Sequence, residues 1–176
     1  MLPLSGRLIL LTASIISLMW ASSSKISRRL PLSILAAIQS MPFTLIIIAF
    51  IANWDSLDLV SRLGGDDLPL LYRISAVWGG RSGPLLMWCT WLAIGSVALS
   101  KTSPNGQNSL RMVVGLNGIL LSISVLLDPF APSSGFNNYL NPLLQTDLMV
   151  IHPPVIFAFY TLCLIPAILS LIHISE

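Results

Sequence analysis

A single histidine stands where an apolar stretch begins, directly before two prolines, in the sequence Ile151-His152-Pro153-Pro154. Proline is tolerated in the first turn of a helix, because its missing N–H would have had no partner there. The pair therefore predicts a helix that starts at Pro153, with His152 at or beside its N-cap. A neutral imidazole in that position can ligate a metal or haem iron, titrate near neutral pH, or hydrogen-bond a neighbouring carbonyl.

Taken alone, this histidine has no obvious partner in its own neighbourhood, which favours an ordinary hydrogen-bonded residue at a helix end. The polar turn before it, Leu140-Asn141-Pro142-Leu143-Leu144-Gln145, supplies two amide side chains. An imidazole that binds a metal needs an acceptor for its second ring nitrogen. Asn141 and Gln145 are the candidates for that acceptor, and the spacing selects neither of them.

A second group of polar and aromatic residues lies in the loop 53–83. Its mixture of apolar side chains with Tyr72 and Arg73 predicts a short helix at the level of the lipid headgroups. Trp78 is either an ordinary interfacial tryptophan or part of a binding site. Arg81 can pair with a haem propionate or a carboxylate, or it can simply extend to water.

The cysteines offer less chemistry. Cys89 and Cys163 are 74 positions apart, each in an apolar run, without a CxxC motif. They are predicted to be small buried hydrophobic residues, which argues against a redox role.

Composition sets the class of protein. Of 176 residues, 55% are hydrophobic and only 9% are charged, whereas soluble domains have roughly 25% charged residues. Mean hydropathy is +0.84, so the chain is predicted to be an integral membrane protein. The net charge of +2 comes without a basic tract, which argues against a nucleic-acid partner. No acidic residue is predicted near a membrane midplane, so a transporter is disfavoured.

The apolar segments predict an all-α, polytopic membrane helix bundle that forms one transmembrane domain over residues 1–176, with short interfacial helices in the outer loops. The predicted spans are near 4–20, 30–52, 84–99, 112–127 and 153–172. The first is interpreted as a retained anchor. The third and fourth are short for a hydrocarbon core of roughly 30 Å, so either flanking residues extend them or they cross with little tilt. Gln39 and Asn117 lie within spans, so they are predicted to face protein rather than lipid.

Basic residues predict the orientation. Lys25, Arg28 and Arg29 follow the first span, and Lys101 and Arg111 follow the third, whereas the loop 128–151 has no basic residue. Basic loops favour the cytoplasm or the mitochondrial matrix. The N-terminus, the loop 53–83 and His152 are therefore predicted to share the outer side. Arg62, Arg73 and Arg81 in the loop 53–83 argue mildly against this orientation, although such a loop counts for less when it folds at the membrane interface.

Two blocks of this sequence resemble a known family. The turn 140–145 followed by His152-Pro153-Pro154, seven residues after Gln145, is similar to a signature of the CcmF-type cytochrome c haem lyases, members of the haem-handling membrane protein superfamily. The block 72–88, with Tyr72-Arg73, Trp78-Gly79 and Leu85-Leu86-Met87-Trp88, is similar to a second segment of that family. The resemblance covers most of the chain but only the N-terminal portion of the family's length, as in a split form.

The resemblance implies a role in haem handling. In that family, haem delivered by a haem chaperone is held on the outer face while it is joined to the cysteines of apocytochrome c. His152 would be an axial ligand to haem b, shared with another polypeptide, and Trp78, Arg81, Asn141 and Gln145 would lie near the haem. The lyase positions its substrates, so no catalytic residue is expected. This chain would be a partial subunit of a holocytochrome c synthase and would not act alone.

Departures from the family pattern favour a second hypothesis. Arg81-Ser82 stands where the family has histidine and glutamate, and Thr146-Asp147-Leu148 replaces aspartate, proline and glycine. The tryptophan-rich loop of the family lies further downstream and is not in this sequence. The alternative is a non-catalytic structural membrane subunit of a respiratory complex, derived from a haem lyase.

The resemblance also implies a compartment and partners. Split forms of this family with a Leu/Ile/Ser-rich character occur in organelles, which favours the mitochondrial inner membrane over a bacterial plasma membrane. The expected partners are the other polypeptides of the split lyase, the haem chaperone and apocytochrome c, or else respiratory complex subunits, together with membrane lipid.

Overall fold

The computed structural model describes residues 2–102, 106–135 and 140–175. Eight α-helices lie in this described part: α1 (Leu2–Ser22), α2 (Ser24–Arg29), α3 (Leu32–Ile51), α4 (Asp58–Leu63), α5 (Leu70–Ser75), α6 (Ser82–Thr102), α7 (Gln107–Leu127) and α8 (Asp147–Ser175). Two 3₁₀ turns, Ala76–Gly79 and Pro142–Leu144, precede α6 and α8. The predicted all-α fold is confirmed.

Five of these helices, α1, α3, α6, α7 and α8, are long and apolar enough to cross a membrane. Flanking residues extend the short third and fourth apolar segments, so that α6 and α7 have 21 residues each, or roughly 30 Å at ~1.5 Å per residue. Polar residues that are compatible with helix extend both ends beyond the apolar core. Lys101 and Arg111 consequently lie inside α6 and α7, not in the connecting loop. That the chain forms a single domain stays a prediction.

Polar contacts at both ends fix α1 antiparallel to α7. At one end, Nε of Arg7 donates to Oδ1 of Asp128 at 2.8 Å, and a second guanidinium nitrogen binds the other carboxylate oxygen. At the opposite end, Nη2 of Arg111 donates to Oγ of Ser27 at 3.4 Å. Arg7 and Asp128 therefore mark the end of the bundle at which α1 begins and α7 ends.

Buried polar side chains pair across the helices, as predicted for spans that must face protein. Gln39 and Asn117 are each only 1% exposed. Nε2 of Gln39 donates to Oγ of Ser17 at 2.9 Å, and Nδ2 of Asn117 donates to the carbonyl of Cys89 at 3.0 Å. These bonds tie α3 to α1 and α7 to α6 where hydrocarbon could supply no partner.

The loop 53–83 folds onto the segment after α7. The backbone N–H of Asp58 donates to the carbonyl of Ala131, and that of Ser133 donates to the carbonyl of Ser56, both at 2.9 Å. Arg73 ties the loop to α3, because its guanidinium donates to the carbonyl of Ile51 at 3.2 Å. A cation is favourable at the C-terminus of a helix, where carbonyls are unpaired. Arg73 in the family-like block is thus a structural residue here.

The cysteine prediction is half right. Cys89 is buried in the core, but Cys163 is exposed on α8, and both thiols are free. The polarity pattern could not separate them, because an apolar helix surface faces either protein or lipid. The composition of residues 100–109, with Pro104, Asn105 and Gly106, predicts a polar loop, and its positions 103–105 lie outside the described residues.

We expect the two ends of the bundle to lie on opposite sides of a membrane. In a Cys163→Ala background, Ser24→Cys and Ser134→Cys should react with an impermeant thiol reagent from opposite sides of sealed vesicles. Ser24 follows α1 and Ser134 follows α7, and both are exposed. Reaction of both positions from the same side would contradict this topology.

Candidate functional site

Helix α8 begins at Asp147, six residues before the predicted start at Pro153. Thr146 stabilises this start, because its Oγ1 accepts from the backbone N–H of Met149 at 3.4 Å. Asp147 adds a negative charge to the first turn, where the helix dipole favours one. The prediction that His152 is an N-cap residue is therefore wrong. His152 lies inside the helix, in its second turn, close to the end at which α8 begins.

The fold accommodates a proline beyond the first turn by recruiting a donor from another element. Pro153 has no N–H to give to the carbonyl of Met149, four residues earlier. Nε1 of Trp78 donates to that carbonyl instead, at 2.6 Å. Trp78 is thus a structural clamp between the 3₁₀ turn Ala76–Gly79 and the start of α8. The clamp also brings the two family-like blocks together, at one end of the bundle as predicted.

His152 lies at the mouth of a cleft of about 520 Å³. The cleft is lined mainly by apolar side chains and is bounded by Trp78, Gly79, Leu144, Thr146, Leu148, Met149, His152 and Pro153. His152 is exposed and has no hydrogen-bond or ion-pair partner among the described residues. Its imidazole is therefore available to an external ligand.

An adjoining cleft of about 680 Å³ carries positive charge. Arg62, Arg81 and Asn141 line it, and Gly79 and Leu144 form a wall that both clefts share. Arg62 pairs with Asp58, whereas Arg81 is exposed and has no partner among the described residues. An anionic group could bind here without displacing an existing ion pair of Arg81.

The structure divides the predicted site residues into three groups. His152 and Trp78 share the first cleft, and Arg81 and Asn141 share the second. Oδ1 of Asn141 already accepts from the backbone N–H of Leu143 at 3.0 Å. Gln145 lies in neither cleft, because its Nε2 donates to the carbonyl of Leu140 at 3.3 Å. Neither amide is hydrogen-bonded to His152, so the proposed orienting acceptor stays a prediction.

Sequence reasoning missed Met149 and Leu144. Met149 provides the carbonyl that Trp78 binds, and its own side chain lines the His152 cleft. A signal for Met149 was available in the sequence. Met149 lies four residues before Pro153, and a proline in a helix leaves the carbonyl at that position without its helical donor. For Leu144 no signal was available, because its place between the clefts depends on the path of the turn 142–144.

We expect Trp78→Phe to destabilise the protein by ~1–3 kcal/mol, the usual cost of leaving a buried carbonyl without its partner. Phenylalanine keeps the aromatic ring but removes the N–H that binds Met149. Thermal unfolding of the purified protein in mild detergent measures the change. Trp91→Phe is the matched control, since the Trp91 indole has no hydrogen-bond partner among the described residues. Equal effects of the two substitutions would contradict the clamp.

The fold and the site together define a polytopic helical membrane protein whose histidine, tryptophan and arginine converge on adjacent clefts at one end of the bundle. The chain is 33% identical to the cytochrome c-type biogenesis protein CcmF of Haemophilus influenzae over 134 residues, which are 69% of this chain and 20% of that protein. It is 31% identical to the cytochrome c-type biogenesis protein ccl1 of Rhodobacter capsulatus, with the same coverage of 69% and 20%. Identity to CcmF of Escherichia coli is 28%, over 67% of this chain and 20% of that protein.

The chain therefore belongs to the CcmF family of cytochrome c-type biogenesis proteins. It spans about a fifth of the length of the curated relatives that it matches. No family model matches the chain. No solved structure matches it significantly either.

Proposed function

We propose that the chain is a subunit of a split cytochrome c haem lyase, which helps to hold haem b on the outer face of the membrane for covalent attachment to apocytochrome c. The observation that carries this proposal is the exposed imidazole of His152, which has no partner among the described residues and lies at the mouth of a largely apolar cleft. Membership of the CcmF family supports a place in cytochrome c biogenesis.

The side chains around the clefts fit haem better than a bare metal ion. Among the described residues, no group of three or more His, Cys, Asp or Glu side chains could hold a metal. Iron in a porphyrin needs only axial ligands from protein, so one histidine from this chain is enough. Trp78 and Leu148 offer apolar contact in the same cleft. Arg81 offers a guanidinium, which suits a carboxylate such as a haem propionate.

Three of the residues would hold haem. His152 would ligate its iron, and Arg81, with the amide nitrogen of Asn141, would bind a propionate carboxylate. Haem, when bound, would supply the vinyl groups to which the cysteine thiols of apocytochrome c add. The chain itself would contribute positioning and not a nucleophile. A partner polypeptide would supply a further iron ligand and most of the pocket, so the chain is not active alone.

Two observations favour the alternative, a non-catalytic structural subunit of a respiratory complex. The indole N–H of Trp78 is committed to the carbonyl of Met149, so it is not free to bind a ligand. No described acceptor orients the imidazole of His152, whereas second-shell acceptors normally accompany histidine ligands. On this alternative, His152 is an ordinary exposed residue of α8.

The proposed setting is the mitochondrial inner membrane, with a bacterial plasma membrane as the alternative. The proposed orientation places His152 on the outer side; the basic residues of the segment 25–29 and Arg111 lie at the opposite end of the bundle, which supports an inner position for that end. The proposed partners are the other polypeptides of the split lyase, a haem chaperone and apocytochrome c.

Purification of the tagged chain from its own membranes in mild detergent tests this proposal against the alternative. We expect cytochrome c maturation polypeptides to co-purify, together with haem that is detected by its Soret absorption. A preparation of His152→Ala serves as the matched control and should keep the polypeptides but lose haem. Recovery of respiratory complex subunits without maturation proteins would support the structural alternative and contradict the lyase.

A further inference from the structure

Helix α8 is exposed over most of its length. In its most apolar part only 11% of the residues are buried, against 28% to 50% in the corresponding parts of the other four long helices. It packs on α6 and α7 through one face, where Thr161 and Ile168 are buried. The opposite face carries Leu148, Val155, Phe159 and Leu162, which are exposed by 77%, 59%, 60% and 71%. At ~3.6 residues per turn these positions form one stripe.

This outward face contains polar groups that lipid cannot satisfy. Pro166 has no N–H to donate to the carbonyl of Leu162. Tyr160, at the edge of the stripe, is 48% exposed, and its hydroxyl has no hydrogen-bond partner among the described residues. Both positions lie near the middle of a 29-residue helix. Hydrocarbon offers no hydrogen-bond partner at that depth, so neighbouring protein normally provides one.

An aromatic cluster borders the stripe and adds a third unsatisfied group. The ring of Trp88 in α6 lies 6.2 Å from the ring of Tyr160 and 6.1 Å from that of Phe157. Nε1 of Trp88 is buried and has no hydrogen-bond partner in the described part of the chain. Two side chains whose donors have no partner among the described residues, Trp88 and Tyr160, are therefore in ring contact at the junction of α6 and α8.

We propose that the outward face of α8 is the docking surface for a membrane-spanning helix from the part of a CcmF protein that this chain does not contain. The chain spans about a fifth of its relatives, so most of the length of a CcmF protein lies outside it. The docked helix provides an acceptor for Tyr160 and a donor for the carbonyl of Leu162. A contact of this kind already exists at Pro153, the first proline of α8. There the indole N–H of Trp78 donates to the carbonyl of Met149, which has no helical donor.

The docking surface adds a partner contact to the proposed function. The identity of that partner rests on the proposed function. By helical periodicity, His152 lies on the same stripe as Leu148, Val155 and Phe159. A helix packed along the stripe therefore reaches the His152 cleft at its outer end. A helix docked there would bring the partner's part of the haem pocket next to the imidazole of His152.

A photo-reactive phenylalanine derivative at Phe159 tests the docking surface in the assembly purified with its natural partners. Ile119 on α7 is the matched control position, since its side chain is 52% exposed and belongs to a different helix. After irradiation, mass spectrometry should identify adducts between position 159 and a membrane-spanning peptide of a CcmF-type polypeptide. The yield at position 159 should exceed that at position 119 several-fold.

Adducts with lipid or detergent alone, adducts with a second copy of this chain, or equal yields at the two positions would overturn the proposal. The Soret absorption of the same preparation reports on haem separately. A preparation that crosslinks at position 159 but holds no haem would therefore contradict the haem site and leave the docking surface standing.

Discussion

Gly83→Ala should remove most of the folded protein, because no space exists for a methyl group at this position. A Cβ at Gly83 would lie 1.8 Å from the carbonyl oxygen of Val77, which is backbone and cannot rotate away. We expect a loss of stability at or above the upper end of the ~1–3 kcal/mol that overpacking usually costs. The thermal unfolding midpoint of the purified protein in detergent measures it. The displaced turn Ala76–Gly79 carries Trp78, so the clamp on Met149 should be lost as well.

Gly115→Ala is the matched control for Gly83→Ala. A Cβ at Gly115 would lie 3.3 Å from the Cβ of Ala21, so the contact is tight but involves only a methyl group. Alanine also favours helix over glycine by ~1 kcal/mol, which offsets the crowding. The control should be close to neutral. If Gly83→Ala were equally neutral, the packing of α6 against the turn Ala76–Gly79 would be wrong.

His152→Ala should reduce covalent cytochrome c formation strongly without unfolding the protein. Loss of even a residue that only hydrogen-bonds a metal ligand weakens metal binding ~10–100-fold, so loss of the iron ligand proposed here should reduce the yield at least as much. Fold stability should change little, because His152 is exposed and unpartnered among the described residues. The yield of mature cytochrome c in complemented cells, with chain abundance measured in parallel, gives the result.

Leu126→Ala controls for the loss of an exposed apolar side chain at the same end of the bundle. Leu126 on α7 is 84% exposed and lines neither cleft, so its truncation changes the surface but removes no proposed contact with haem or with the docked helix. It should leave cytochrome c formation nearly unchanged. A similar loss of yield in both variants would mean that the effect is not specific to His152.

Much of the fold could be predicted from the sequence because hydropathy is a strong and local signal. Five apolar stretches gave five long helices, and the buried positions of Gln39 and Asn117 followed from the absence of partners in lipid. The ends of α6 and α7 were placed too far inward. Lys101 and Arg111 were assigned to a loop because they are charged, yet charged residues extend helices readily beyond the apolar core.

The start of α8 could not be predicted from local rules. Two prolines favour a helix start, and the rule fails here because Trp78, far away in sequence, donates to the carbonyl that Pro153 leaves vacant. This replacement of the helical donor by Trp78 is a tertiary contact, which the periodicity of the local sequence cannot predict. The exposure of Cys163 has a similar cause, since an apolar pattern does not distinguish a face that meets protein from one that meets lipid.

The candidate site was predicted in part. The order of the spans predicted that Trp78 and His152 lie at the same end of the bundle. The hydrogen bond from Trp78 to Met149 confirms this. The division of the site into two clefts could not be predicted from the sequence. Gly79 and Leu144 line both clefts, and their positions depend on how two separate turns fold. Whether His152, Trp78, Arg81, Asn141 and Gln145 contact haem stays a prediction.

Chemical rescue tests the ligand role of His152 most directly. In the assembly purified with its partners, His152→Gly removes the imidazole and leaves a space that free imidazole can enter. The Soret band should weaken in this variant and return when imidazole is added, because the added ring replaces the missing axial ligand. A Soret band that is unchanged in His152→Gly, with no response to imidazole, would show that His152 does not bind haem iron and would contradict the proposed haem site.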